Sequence, residues 1–368
     1  MNNTTYINPN RTEKVYSQRA KRWKLVIAGL IVSLVVTIIV SLNIGYTFIS
    51  YSDILTFLGA RMPGINNFID TTSFSREQLA NQAIIIDVRL PRILSALIIG
   101  AALSASGTLF QGVFRNPMAD PYVLGVSAGA SVGVGIAILW GAGMTFFGFP
   151  IVPIAAFLTA LATIFFVYNI SRVGTRVPEM SLLLTGIAAT IFLAALFQAM
   201  QFITTDHKLS QLVYWQIGSI TNVGWTNWWV VLPFIVGGIV VSYFYARDLN
   251  MISLGEDTAQ HLGVNTERTK KILLALGSVM TAAAVSISGL IGFVGLMIPH
   301  ITRLIVGPDH RLLIPASVIL GSIYLIVCDN LARSIGGATE IPVGIITAIA
   351  GGPFLIFLLR RSRQKYRM

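Results

Sequence analysis

Asp329 and Arg333 stand four residues apart inside a long apolar run, which puts a carboxylate and a guanidinium on one face of a helix. Ionisable residues in such a setting are costly and mark either proton or ion relays or neutralised structural pairs. A relay needs several acids in series, and Asp329 is the only acid well inside an apolar run. A neutralised structural pair is therefore the first reading. The four histidines (His207, His261, His300 and His310) are scattered, with no two at metal-ligand spacing. No G-x-S-x-G or H-E-x-x-H occurs. No G-x-x-x-x-G-K-[ST] occurs either, so the chain has no P-loop of its own to cradle ATP phosphates. The single cysteine, Cys328, excludes a disulfide framework and a cysteine-rich metal site. No catalytic constellation, metal site or cofactor is implied.

The elements that position these residues are apolar. Of 368 residues, 54% are hydrophobic and 11% charged, against about 25% charged in soluble domains. Runs of about 20 apolar residues are each long enough to cross roughly 30 Å of hydrocarbon. The chain reads as an all-α, polytopic integral membrane protein. The apolar runs are 25–45, 93–113, 122–141, 151–170, 180–203, 227–246, 272–290, 291–306, 311–332 and 341–359. The stretch Ile272 to Thr302 is uncharged throughout. As one straight helix it would measure about 46 Å, which exceeds the hydrocarbon thickness. A break at "SGLIGFVG" (288–295) makes two spans of it.

Charge placement tests the count. With ten transmembrane helices and both termini cytoplasmic, six of the 26 Lys and Arg fall outside: Arg61, Arg76, Arg89, Arg92, Lys208 and Arg333. Nine spans would leave the tail "RRSRQKYR" outside. The net charge of +11 is thus topology, and nucleic-acid binding loses its support. The organisation expected is a cytoplasmic segment 1–24, a ten-span domain 25–361 and a basic cytoplasmic tail 362–368. The long outer segment 46–91 is read as helical over 75–87. The largest inner loop is 247–271. Segment 25–44 is too long for a signal-peptide core and reads as a retained span.

Inside that inner loop lies "LGEDTAQHLGV" (254–264), short, polar and bracketed by glycines. Gly255 and Gly263 can break the chain at both ends. Ala259 and Leu262, at i and i+3, form a small apolar knob, while Glu256, Asp257 and His261 keep the other face wet. On these residues alone a solvated loop and a partner-docking helix are equally open.

The segments "RLPRILSALIIGAALSASGTLFQGVFRNPMADPYVLGVSAGASVGVG" (89–135) and "SGLIGFVGLMIPHITRLIVGPDHR" (288–311) resemble the permease subunits of type II ABC importers of iron–siderophore complexes, haem and cobalamin. "EIPVGIITAIAGGPFLIFLLRR" (340–361) is similar to their final span, and "SLGEDTAQHLG" to their coupling helix. The likeness runs from about residue 85 to the C-terminus. It implies a homodimer of ten-span subunits working with two ATPase subunits below and an extracytoplasmic substrate-binding protein above, embedded in membrane lipid, with no nucleic-acid partner. Residues 255, 256, 259, 262 and 263 then dock in a groove on the ATPase.

The resemblance also gives roles to the outer arginines. Arg89, Arg92 and Arg333 fall where family members receive acidic side chains of the binding protein, and the planar guanidinium fork suits that contact. Interfacial anchoring competes for Arg89 and Arg92, and the pair with Asp329 competes for Arg333. Span five of the family lines the central path, which places Gln198 and Gln201 near its outer end and Glu179 and Met180 at the inner gate. Crowded small residues in 100–107 and 125–135 read as helix packing, and "FRNPMADP" (114–121) as a structural turn. The cargo expected is an iron chelate, a siderophore complex or haem. The alternatives are cobalamin through the same kind of importer, and an ion-coupled secondary transporter, for which intramembrane acids are nearly lacking.

Overall fold

Every apolar run of the sequence is helical in the protein, and the helices differ sharply in how deeply they are buried. The structure is a computed structural model that describes residues 9–45, 47–61, 74–141, 143–146, 148–174, 177–221, 223–335 and 340–365. Residues 1–8, the 62–73 portion of the long outer segment, Arg176 and the last three residues of the tail lie outside the described residues.

Helix α1 (Pro9–Asn43) leads through a short α2 (Tyr51–Gly59) to α3 (Arg76–Ala83), a π-helical turn (Ile84–Arg89) and α4 (Leu90–Val113). A 3-10 turn (Pro121–Leu124) precedes α5 (Val126–Trp140), and a two-residue hairpin (β1 Thr145–Phe146, β2 Phe149–Pro150) leads into α6 (Ile151–Ile170). Then come α7 (Glu179–Phe202), α8 (Asp206–Ile217), α9 (Trp225–Phe244), α10 (Ala246–Ser253), α11 (Glu256–His261), α12 (Thr266–Ser288), α13 (Val294–Val306), α14 (His310–Ile335) and α15 (Val343–Lys365).

Among the described residues, eight helices are long and apolar enough to cross a membrane. The two remaining apolar runs are shorter: α5 has 15 residues and α13 has 13, about 22 and 20 Å. Length therefore bears out eight of the ten expected spans and leaves the other two to their neighbours. The break between α12 and α13 is where the uncharged 272–302 stretch required one. Its backbone is satisfied from outside: Ser219 N–H donates to Ser288 O (2.8 Å) and the Tyr122 hydroxyl to Ile291 O (3.0 Å).

Helix α4 forms the axis of the fold. It is buried along nearly its whole length against α9, α12, α13 and α14. Small residues let it approach that closely. A Cβ on Gly107 would collide with the Gly295 carbonyl, and one on Gly100 with the Gly321 carbonyl. In the same way Gly129 and Gly133 of α5 sit against Thr163 and Thr159 of α6. The two small-residue stripes are packing surfaces, as read. By contrast α1, α6, α7, α9 and α15 are mostly exposed, and their bare apolar faces suit lipid or another subunit. The 114–121 turn is held by its own side chains: Asn116 accepts from Met118 N–H (2.9 Å) and Asp120 from Tyr122 N–H (2.8 Å).

The helix expected over 75–87 is present, and it runs without a break into the span that follows: residues 76–113 form one continuous helical rod, so Arg89 and Arg92 lie within it. The π turn at 84–89 directly precedes Pro91, whose ring would clash with the carbonyl four residues back in regular α-helix, so the wider turn accommodates it.

Candidate functional site

Charged side chains gather at the two ends of the bundle. At one end, α4, α14 and the segment before α15 bring Arg92, Asp329, Arg333 and Glu340 together. Arg92 grips Asp329 with Nε (3.0 Å) and Nη2 (2.8 Å), and reaches Glu340 Oε2 with Nη1 at 2.6 Å. Arg333 Nε lies 3.1 Å from the other Asp329 oxygen, so one carboxylate serves two guanidiniums. Arg333 also donates to Ile44 O (2.9 Å) and Ser41 Oγ (2.8 Å). Arg89 donates to the carbonyls of Leu42 (2.7 Å) and Thr47. These bonds tie the end of α1 to α4 and α14. Burial raises the affinity of Glu340 for a proton, but the bonds from Arg92 and Thr221 outweigh it and hold the carboxyl below its usual range.

This arrangement revises the docking expectation. Arg89, Arg92 and Arg333 are 5%, 3% and 6% exposed, and their guanidiniums are consumed inside the chain rather than presented at its surface. The Asp329–Arg333 pair of the sequence reading is present, with Arg92 as a third member that one-dimensional spacing could not reveal.

At the other end α10, α11 and α12 form a compact corner. Gly255 (φ +120°) and Gly263 (φ +88°) take backbone conformations that other residues avoid, and between them runs the six-residue α11. The expected knob is half right. Leu262 is 59% exposed and Leu254 70%, but Ala259 is fully buried against Ile252 and Val264. Helix α11 is so short that its inner face must carry the one small apolar residue able to seat it on the bundle. Glu256 is not simply solvated either. Its Oε1 lies 2.5 Å from Lys270 Nζ and 3.5 Å from Arg115 Nη2. Burial raises the proton affinity of Glu256, yet Lys270 and then Arg115 overcome this and keep the carboxyl ionised below its usual range. Lys270 also faces Glu179 Oε1 at 3.6 Å.

Glu179 opens α7, where its charge suits the helix N-terminus, and Met180 beside it is exposed. Nearer the arginine end of α7, Gln198 is exposed and Gln201 donates to Gln216 of α8 (3.3 Å). Beside α8 opens a cavity of about 720 Å³ lined by His207, Gln211, Tyr214, Trp215, Thr221 and Glu340 among others. Sequence reasoning missed this cavity, because its walls come from six separate elements. It also missed Lys270, which in the sequence is one of several basic residues where an inner loop meets a span.

The FecCD transport family matches residues 31–361. The cobalamin import permease BtuC of Halobacterium salinarum is 44% identical over 279 residues, 76% of this chain and 74% of that protein. The hemin transport permease HmuU of Yersinia pestis is 38% identical over 76% of this chain and 84% of its own. Other relatives are named for hydroxamate-siderophore and molybdate import. A solved inward-facing structure of a metal-chelate type ABC transporter superposes with a TM-score of 0.77 at 31% identity, covering 92% of this chain and 99% of that one. The chain is a multi-pass membrane protein and belongs to the FecCD transport family of ABC importer permeases.

Proposed function

We propose that this chain is the translocating subunit of an ATP-driven importer that carries an intact metal chelate. It crosses the membrane ten times with both ends cytoplasmic, the short α5 and α13 being completed by the 121–124 turn and the 289–293 segment. Two copies enclose the path along α7. Two ATPase subunits dock at α11, and an extracytoplasmic binding protein delivers cargo to the arginine end. The observation that carries this reading is α11 itself, a short helix seated by Ala259 that presents Leu254 and Leu262 to solvent, in a chain with no nucleotide cradle of its own. At the opposite end Arg92 and Arg333 share Asp329 and Arg92 reaches Glu340, while Arg89 is held by carbonyls alone, which leaves one net positive charge beneath the surface offered to an acidic binding protein. There the arginines set the shape and potential of the docking surface.

The cargo reading is an iron chelate, supported by the relatives named for haem and hydroxamate-siderophore import. A corrinoid is the second reading, favoured by the 44% identical relative named for cobalamin import. The test is uptake into vesicles holding the chain with its ATPase and binding protein, offered haemin, a ferric hydroxamate or cyanocobalamin. Accumulation of an iron chelate that needs internal ATP is expected. Accumulation of cyanocobalamin alone moves the assignment to the corrinoid, and uptake driven by an ion gradient without ATP overturns the importer.

A further inference from the structure

Lys270 is a lysine with almost no water to face. The residue is 8% exposed and its ammonium stands between two carboxylates that belong to different helices: Glu256 of α11 at 2.5 Å and Glu179 of α7 at 3.6 Å. Arg115, on the turn after α4, closes the group on Glu256. Four elements thus meet at two acids and two bases whose charges cancel. Helix α11 packs on α10 and α12 and shares no broad surface with α7, so this cluster is the short physical route between them.

The choice of lysine matters. An arginine fork would hold both carboxylates in one fixed plane, whereas an ammonium on a flexible stem is a point charge that can shift from one to the other. A space of about 20 Å³, about enough for one water, lies beside Glu179 and Lys270, so the two side chains are not packed solid against their surroundings. Low exposure forbids leaving the ammonium unpaired, because a buried charge without its partner is strongly unfavourable. If α11 is drawn away from the bundle, Lys270 must tighten on Glu179. The unequal distances show which partner holds it in the present arrangement.

We infer that Lys270 is a positioning residue that reads the displacement of α11 and reports it to the first turn of α7, where Glu179 and Met180 stand. This rests on the proposal that α11 is the contact for the ATPase and that α7 lines the path. It goes further by naming the side chain that joins them.

The test uses the full complex carrying Met180→Cys as a reporter, since the one native cysteine, Cys328, is buried. Maleimide labelling from the α11 side is compared without nucleotide and after trapping with ATP and vanadate. In the parent the rate is expected to change by about fivefold or more, the usual scale of coupling between sites. Adding Lys270→Met should abolish that change while ATP hydrolysis stays within about twofold of the parent. Lys270→Arg, which keeps the charge but holds both carboxylates in one plane, should leave the change well below that of the parent. Glu179→Gln, which leaves Lys270 on Glu256, should mimic Lys270→Met and stands in for it if that variant does not assemble. A parent that ignores nucleotide overturns the functional reading. A responsive parent with an equally responsive Lys270→Met or Glu179→Gln overturns only the role given to Lys270.

Discussion

The two charged clusters use similar residues to opposite ends. Around Asp329, planar guanidiniums grip one carboxylate from two sides, the charges are nearly all below a tenth exposed, and spare N–H groups are spent on carbonyls at the end of α1 and just beyond it. Around Lys270 the contacts are single, the lengths unequal, and Glu256, Arg115 and Glu179 keep a quarter or more of their side chains in water. The first geometry fixes three helices relative to one another. The second joins elements while permitting one to move. Charge alone does not say which job a cluster does; burial and the choice between arginine and lysine do.

The sharpest way to break that contrast is at Asp329. Asp329→Ala leaves Arg92 and Arg333 buried without their shared partner and should cost about 3–5 kcal/mol. The check is the melting temperature in detergent or the yield of folded protein. A stability within experimental scatter of the parent would mean that the cluster is wetter than its geometry indicates. A smaller effect is expected at Ala259. Ala259→Glu forces a charged chain into the Ile252–Val264 contact and should unseat α11, costing about 1–3 kcal/mol and weakening ATPase capture through loss of the helix.

Leu262→Asp probes the same helix from its exposed side. It should leave stability within about 0.5 kcal/mol and still lower ATPase capture in pull-down. If the two variants bind the ATPase equally well and like the parent, α11 is not the contact.

The smallest effect belongs to the looser cluster. Removing one half-exposed pair with Glu256→Gln should cost about 0.2–1 kcal/mol near neutral pH. Its sign follows from the lowered proton affinity of Glu256 in the folded protein. The stabilisation is present above the ordinary carboxylate value of 4.5 and is lost as pH falls through the lower folded value. Melting temperatures of parent and variant should therefore converge only once the pH has fallen below 4.5 and through the lower folded value. A gap that widens on acidification would reverse the assignment.

The contrast also explains what could be read from the sequence. Apolar runs bounded by charges and Gly/Pro located the 151–170 helix to the residue, and the excess length of 272–302 demanded a break, placed at 288–295 and found at 289–293, since both follow from the cost of backbone and charge in hydrocarbon. The helix over 75–87 was legible, but its continuity with the span to form the rod 76–113 was not. Asp87, Arg89 and Arg92 look like the end of a span until Arg92 meets Asp329 and Glu340, more than 230 residues away. Ala259 failed for another reason. A helix of six residues has too few positions for periodicity to say which face is buried, so Leu262 is exposed as expected and Ala259 is not. Lys270 was visible only as one charge in a basic loop, and its role depends on two carboxylates brought from α7 and α11.

On the proposed coupling, the arginine cluster stays fixed while the lysine cluster moves when ATP is bound below. Hydrogen exchange on the assembled complex, with and without ATP and vanadate, tests it directly. Amides of 256–262 and 179–183 should change their exchange by about tenfold, with 90–96 and 326–333 unchanged. Altered exchange around Asp329, with 256–262 and 179–183 indifferent to nucleotide, would contradict it.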